Sequence, residues 1–155
     1  MYEKKELSFR QVKEKALRLL EYRTQSEYEL KQKLLRAGGT TEDIKSVIEF
    51  CKEYGFVNDR SYAEALAKDL SKLKKFGKQR IRQELHKRGI DSELIDYALL
   101  EIEDNEDVLE TMISKKLNGN FERKNCDKAI RYFIYRGYEL SNIKNAIERL
   151  KTDEF

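Results

Sequence analysis

The chain has 155 residues, 39% of them charged and 39% hydrophobic, with a formal net charge of only +3. That size suits a single domain or a short row of repeats, and no apolar run approaches the roughly eighteen residues of a membrane span. Two cysteines without a Cys-x-x-Cys pair and a single histidine leave a zinc or redox centre almost no ligands.

Proline is absent and glycine occurs seven times, which favours long helices with short connections. The opening MYEKKELSFRQ has no apolar stretch after its charges, so it does not read as a signal peptide, and the cytoplasm is the expected compartment. Cys51 and Cys126 are expected to be small buried hydrophobes there.

Val12, Ala16, Leu19 and Leu20 lie at helical spacing and predict a first helix. Thr24–Gln25–Ser26 breaks the pattern, and Ser26-Glu27-Tyr28-Glu29 reads as a capping box opening a second. That helix runs through Leu30, Leu34 and Leu35 to Gly38–Gly39, where a chain reversal is expected. Thr40 or Thr41 caps a third helix with Ile44, Val47, Ile48 and Cys51 inward. A fourth begins near Asn58-Asp59-Arg60-Ser61, carries Ala63, Leu66, Ala67, Leu70 and Leu73, and stops around Phe76–Gly77. Ile81 and Leu85 drive a fifth that ends at Gly89, and Asp91 caps a sixth with Leu94, Ile95, Ala98 and Leu99 inward. Val108, Leu109, Met112, Ile113 and Leu117 predict a seventh, closed by Asn118-Gly119-Asn120. Ala129, Ile130, Phe133 and Ile134, then Ile143, Ala146, Ile147 and Leu150, predict the last two.

These elements repeat. Four residues before Gly38, Gly89 and Gly137 sit Leu34, Leu85 and Phe133; eight before sit Leu30, Ile81 and Ala129. Six, nine and ten after come Ile44, Ile95 and Ile143, then Val47, Ala98 and Ala146, then Ile48, Leu99 and Ile147. The fold expected is all-α, with tandem three-helix repeats over 1–57, 58–104 and 105–155 forming an elongated, curved array.

An enzyme is not expected. His86 lies among solvent-facing residues, no phosphate-gripping glycine loop or nucleophile elbow occurs, and the carboxylates are spaced as surface ion pairs. No cofactor or metal is implied. The acidic run Glu101 to Glu110 reads as a solvated helix junction rather than a magnesium site.

Charge is segregated along the chain. Residues 1–88 carry 22 basic against 14 acidic side chains, residues 89–110 none against nine, and residues 111–155 ten against six. The densest basic stretch holds Lys68, Lys72, Lys74, Lys75, Lys78, Arg80, Arg82, Lys87 and Arg88, with only Asp69 and Glu84 between. Lys68 and Lys72, like Lys78 and Arg82, share a helix face, while Leu70, Leu73, Ile81 and Leu85 are expected to face the core. Fixed basic heads suit a phosphate backbone or an acidic protein surface; a merely solubilising face is the plain alternative. Tyr132, Tyr135 and Tyr138 beside Arg131 and Arg136 are either a stacking surface or packed, half-buried rings.

Several blocks carry a family resemblance. Leu20-Glu21-Tyr22-Arg23-Thr24-Gln25-Ser26-Glu27-Tyr28-Glu29-Leu30 resembles the opening signature of the RecX regulatory proteins, and Asn58-Asp59-Arg60-Ser61-Tyr62-Ala63 their Asp-Asp-x-x-Phe-Ala segment. Gly77-Lys78-Gln79-Arg80-Ile81-Arg82-Gln83-Glu84-Leu85 with Arg88-Gly89-Ile90 is similar to their most recognisable block. Arg131-Tyr132-Phe133-Ile134 with Arg136-Gly137-Tyr138 resembles their C-terminal repeat. The chain departs from the pattern at Asn58, at Tyr62, and at the double glycine Gly38–Gly39, a change that would loosen the first turn.

The resemblance implies a non-catalytic monomer that binds the RecA recombinase, chiefly as a filament on single-stranded DNA. It implies that such a protein lies in the filament groove or blocks growth, restraining strand exchange and ATP hydrolysis in homologous recombination, DNA repair and the SOS response. Some members also bind DNA directly. The basic residues named above would then face DNA or an acidic part of the filament, and the acidic belt after Gly89 a basic RecA surface. The alternative is a stand-alone DNA-binding module gripping the phosphate backbone through its basic second repeat.

Overall fold

The computed structural model describes residues 6–153. Among these, the regular structure consists of nine α-helices and no strand: α1 (Phe9–Tyr22), α2 (Glu27–Ala37), α3 (Thr41–Glu53), α4 (Asp59–Lys72), α5 (Lys78–Lys87), α6 (Ser92–Leu100), α7 (Glu106–Leu117), α8 (Arg123–Tyr135) and α9 (Leu140–Asp153). They come as tandem triplets, each following the same apolar stripe. Every one of the glycine-registered positions is buried, from Leu30, Leu34, Ile44, Val47 and Ile48 through Ile81, Leu85, Ile95, Ala98 and Leu99 to Ala129, Phe133, Ile143, Ala146 and Ile147.

The helix ends follow from local chemistry. Ser26 closes a full capping box with Glu29, each side chain serving the other residue's backbone N–H. Thr40, not Thr41, caps α3, through its hydroxyl and the Asp43 amide. Asn58 caps α4 by accepting from the Ser61 amide at 3.1 Å.

The three registering glycines end their helices in the same way. Gly38, Gly89 and Gly137 have φ of 106°, 73° and 101°, the left-handed region that costs a side chain about 1–2 kcal/mol. In each, the glycine amide and the next one donate to the carbonyls three and five residues back. The pairs are Leu35 and Leu34, His86 and Leu85, and Ile134 and Phe133. The double glycine therefore does not loosen the first turn. Gly39 lacks a side chain because the Val12 and Ile44 side chains fill that space, 3.1 Å from where its Cβ would stand.

The chain divides into two compact units. One takes residues up to Leu66 together with Leu85–Ala98; the other takes Ala67–Glu84 and everything from Leu99 onward. The middle triplet is thus shared between them. The first unit's core gathers Val12 and Ala16 of α1, Leu30 and Leu34 of α2, and Ile44, Val47, Ile48 and Cys51 of α3. The second gathers Leu109, Ile113 and Leu117 of α7, Cys126, Ala129 and Phe133 of α8, and Ile143, Ala146 and Ile147 of α9.

Each unit also receives a glycine turn at the start of another helix. In the first, the Ser26 hydroxyl, fully buried, donates to the Arg88 carbonyl at 2.6 Å while accepting from the Glu29 amide. A Cβ on Gly89 would strike the Tyr28 side chain. In the second, the Gly77 and Gln79 amides donate to the Arg136 and Gly137 carbonyls at 2.9 and 3.1 Å. There Gly77 and Gly137 approach so closely that a Cβ on either would meet the other's backbone. The same contact, second-helix start against second-helix end, thus occurs once in each unit.

Three inward assignments do not hold. Leu73 is 78% exposed, because α4 ends at Lys72 and Lys75 takes a left-handed φ of 55°. Leu35 and Ile134, at the edges of their stripes, are also exposed.

Candidate functional site

The basic stretch is positioned by the end of α4, the connection to α5, and α5 itself. Lys68, Lys72, Lys74, Lys75, Lys78, Arg80 and Arg82 belong to the second unit, Lys87 and Arg88 to the first. Lys68, Lys72, Lys74, Lys75, Arg82 and Lys87 are exposed. Arg80 is not a free cation. Its side chain is 17% exposed, pairs with Glu84 at 3.2 Å and donates to the Tyr135 carbonyl at 3.3 Å. Arg88 is half-buried, and its carbonyl holds the Ser26 hydroxyl.

Lys68, Lys72, Lys75 and Lys78 line one concavity of about 400 Å³ in the second unit. Phe76, Ile102, Val108 and Tyr138 line it as well. Part of the acidic run lies here too. Glu101, Glu103 and Asp104 line the same concavity, and Glu101 reaches Lys68 at 3.7 Å while Asp104 reaches Lys78 at 3.4 Å. Charge blocks that are separate along the chain meet where α4 and α5 bracket the α6–α7 connection.

The connection between α4 and α5 is pinned from the α8–α9 connection. The Tyr138 hydroxyl donates to the Lys75 carbonyl at 2.6 Å, and the Arg136 guanidinium to the Lys74 carbonyl. Burial pushes the Tyr138 phenol up from its ordinary value, which keeps that donor protonated. Of the three rings Tyr132, Tyr135 and Tyr138, Tyr132 lies at Arg136, whereas Tyr135 lies at Arg80. Arg136 lies over Phe76 at 5.0 Å and Tyr132 at 5.7 Å, Arg80 over Tyr135 at 4.7 Å and Phe76 at 5.0 Å, and Lys116 over Tyr132 at 4.1 Å. Tyr132 and Tyr135 remain exposed, whereas Tyr138 is half-buried against Phe133.

The break at Thr24–Gln25–Ser26 falls between α1 and α2 as expected, but the burial of Gln25 and Ser26 is an addition of the structure. Gln25 accepts from Lys33 at 2.8 Å, and next to it Arg23 pairs with Glu29 at 3.0 Å. Tyr62 hydrogen-bonds the same carboxylate. Burial pushes Glu29 up, but the Tyr62 hydroxyl, the Ser26 amide and Arg23 together hold it below the usual carboxylate range. Burial, then Glu29, push the Tyr62 phenol up to about 12. A buried polar cluster in so apolar a stripe was the available signal, since buried polar groups require partners.

These features define an all-α protein of tandem three-helix units whose chemistry lies in charged and aromatic surface. Among the described residues no group of His, Cys, Asp or Glu side chains is placed to hold a metal ion, and no helix is long and apolar enough to cross a membrane. The family model of the first RecX three-helix domain matches residues 13–51, and that of the second matches residues 58–99. A regulatory protein RecX of Vibrio cholerae is 35% identical over 145 residues, covering 92% of this chain and 95% of the relative. One of Clostridium beijerinckii is 34% identical over 151 residues, covering 92% of this chain and 70% of the relative. The crystal structure of RecX from Lactobacillus salivarius superposes with a TM-score of 0.83 at 22% identity, over 93% of this chain and 97% of that one, a likeness of fold. The chain belongs to the RecX family of regulatory proteins. Membership makes it a non-catalytic regulator.

Proposed function

We propose that the chain binds RecA, seats in the groove of its filament on single-stranded DNA, and restrains filament growth, strand exchange and ATP hydrolysis. The observation that carries this reading is family membership spanning most of the chain, at 35% identity to a regulatory protein of similar length. The protein acts in the cytoplasm as a monomer, and its frame is three repeats over 1–57, 58–104 and 105–155. Contact with the filament runs through Lys68, Lys72, Lys74, Lys75, Lys78 and Arg82 of the second unit and Lys87 and Arg88 of the first. Arg80, engaged with Glu84, Phe76 and Tyr135, holds this surface in place instead of meeting the partner.

Charge reversal tests the surface. Lys74→Glu, Lys78→Glu and Arg82→Glu together should weaken binding to RecA filaments at low salt by at least about ten-fold, since several phosphate or carboxylate contacts are lost at once. Helicity by circular dichroism should stay unchanged. Undiminished binding with intact helicity would mean these cations are only solvated surface.

A further inference from the structure

The concavity of the second unit holds both a basic wall and carboxylates seated against it, and its charge balance bears on what it can bind. Four lysines reach it from three segments: Lys68 and Lys72 from α4, Lys75 from the connection, and Lys78 from the start of α5. Opposite stand three carboxylates of the α6–α7 connection, Glu101, Glu103 and Asp104, attached beside one apolar anchor, buried Ile102. Two lysines are met by these acids, at 3.7 and 3.4 Å; among the described residues Lys72 and Lys75 have no carboxylate partner.

We propose that this concavity is a phosphodiester-binding cradle, and that the Glu101–Asp104 strap occupies it as a built-in competitor that nucleic acid displaces. The volume of about 400 Å³ lies within the range of small-ligand sites. Lysine heads bind phosphate as point charges, and Phe76 and Val108, which line the concavity outside the strap, offer apolar surface to a base or sugar. The strap's grip is weak. Both ion pairs join half-exposed side chains, and an exposed pair shifts an equilibrium by no more than about five-fold. A polyanion that contacts all four lysines gains more, because each contact releases counterions. Seating of the strap therefore leaves an excess of one lysine charge; displacing it exposes four.

This inference rests on the proposed placement of these lysines against the RecA–DNA filament, but its test contains no RecA, so it fails or stands independently of the RecA reading. The probe is a short oligothymidylate, with binding followed by fluorescence anisotropy over a range of salt. Glu101→Gln, Glu103→Gln and Asp104→Asn combined should tighten binding about three- to ten-fold. Glu42→Gln, Glu49→Gln and Glu53→Gln on exposed positions of α3 change the net charge equally and should give clearly less. Adding Lys68→Gln, Lys72→Gln and Lys78→Gln to the neutralised strap should abolish the gain and flatten the logarithmic salt slope by about 2. Equal gains from the strap and the α3 control, or no gain at all, would overturn the proposal. So would a gain seen with polyglutamate but not with the oligonucleotide, which would make the concavity a protein-docking site.

Discussion

Gly77 and Gly119 are constrained by different causes, and substitution separates them. Gly77 lies beside the Gly137 carbonyl and Tyr138 amide, backbone atoms that cannot turn aside. Gly77→Ala should therefore cost about 3 kcal/mol, at the upper end of overpacking. Gly119 has φ +77° and open space around it, so Gly119→Ala should cost only the 1–2 kcal/mol of left-handed backbone. Urea titration of both variants measures the difference; equal losses would mean the Gly77 contact yields. Tyr62 supplies a pH test at the same scale. Its folded phenol is raised from 10 to about 12, so its contribution is full below pH 10 and is lost as pH climbs from 10 to 12. The stability advantage of the native protein over Tyr62→Phe should shrink across that window, and parallel profiles would contradict the assignment.

Among the elements, helix starts differ in what they hold. Ser8 and Ser26 both close capping boxes, but only Ser26 also donates to the Arg88 carbonyl from a fully buried site. Ser8→Ala should lose about 1 kcal/mol. Ser26→Ala should lose roughly 2–3 kcal/mol, because the Arg88 carbonyl forfeits a partner as well; similar losses in thermal or urea unfolding would refute the link. Much of this level was legible beforehand. Apolar periodicity around Gly38, Gly89 and Gly137 located the helix pairs and the buried stripe, since both follow from contacts three or four residues apart. The docking of Ser26 on Arg88 and of Gly77 on Gly137 was not, because those partners stand about sixty residues apart and no local period links them. Leu73 was misplaced for a related reason: its period fits α4, but Lys75 turns the chain left-handed before the stripe is complete. The meeting of Glu101, Glu103 and Asp104 with the lysines was not legible either, because position in sequence says nothing about which side chains line a concavity together.

At the scale of the whole molecule, the chain carries RecX-family features from Lys13 through Leu99 in the two matched domains and keeps the same glycine-ended helix in the third triplet. A frame built by repetition leaves its surface free to vary, and the cations of α4 and α5 with the rings of α8 are where this chain does so. The central claim is that this surface acts on RecA itself and does not merely compete for DNA. The direct measurement is a titration of this protein into RecA's DNA-dependent ATP hydrolysis with DNA saturating. The account predicts inhibition at substoichiometric protein that persists when more DNA is added. Inhibition that needs stoichiometric protein and fades with added DNA, or no effect on RecA beside tight, salt-sensitive DNA binding, would contradict it.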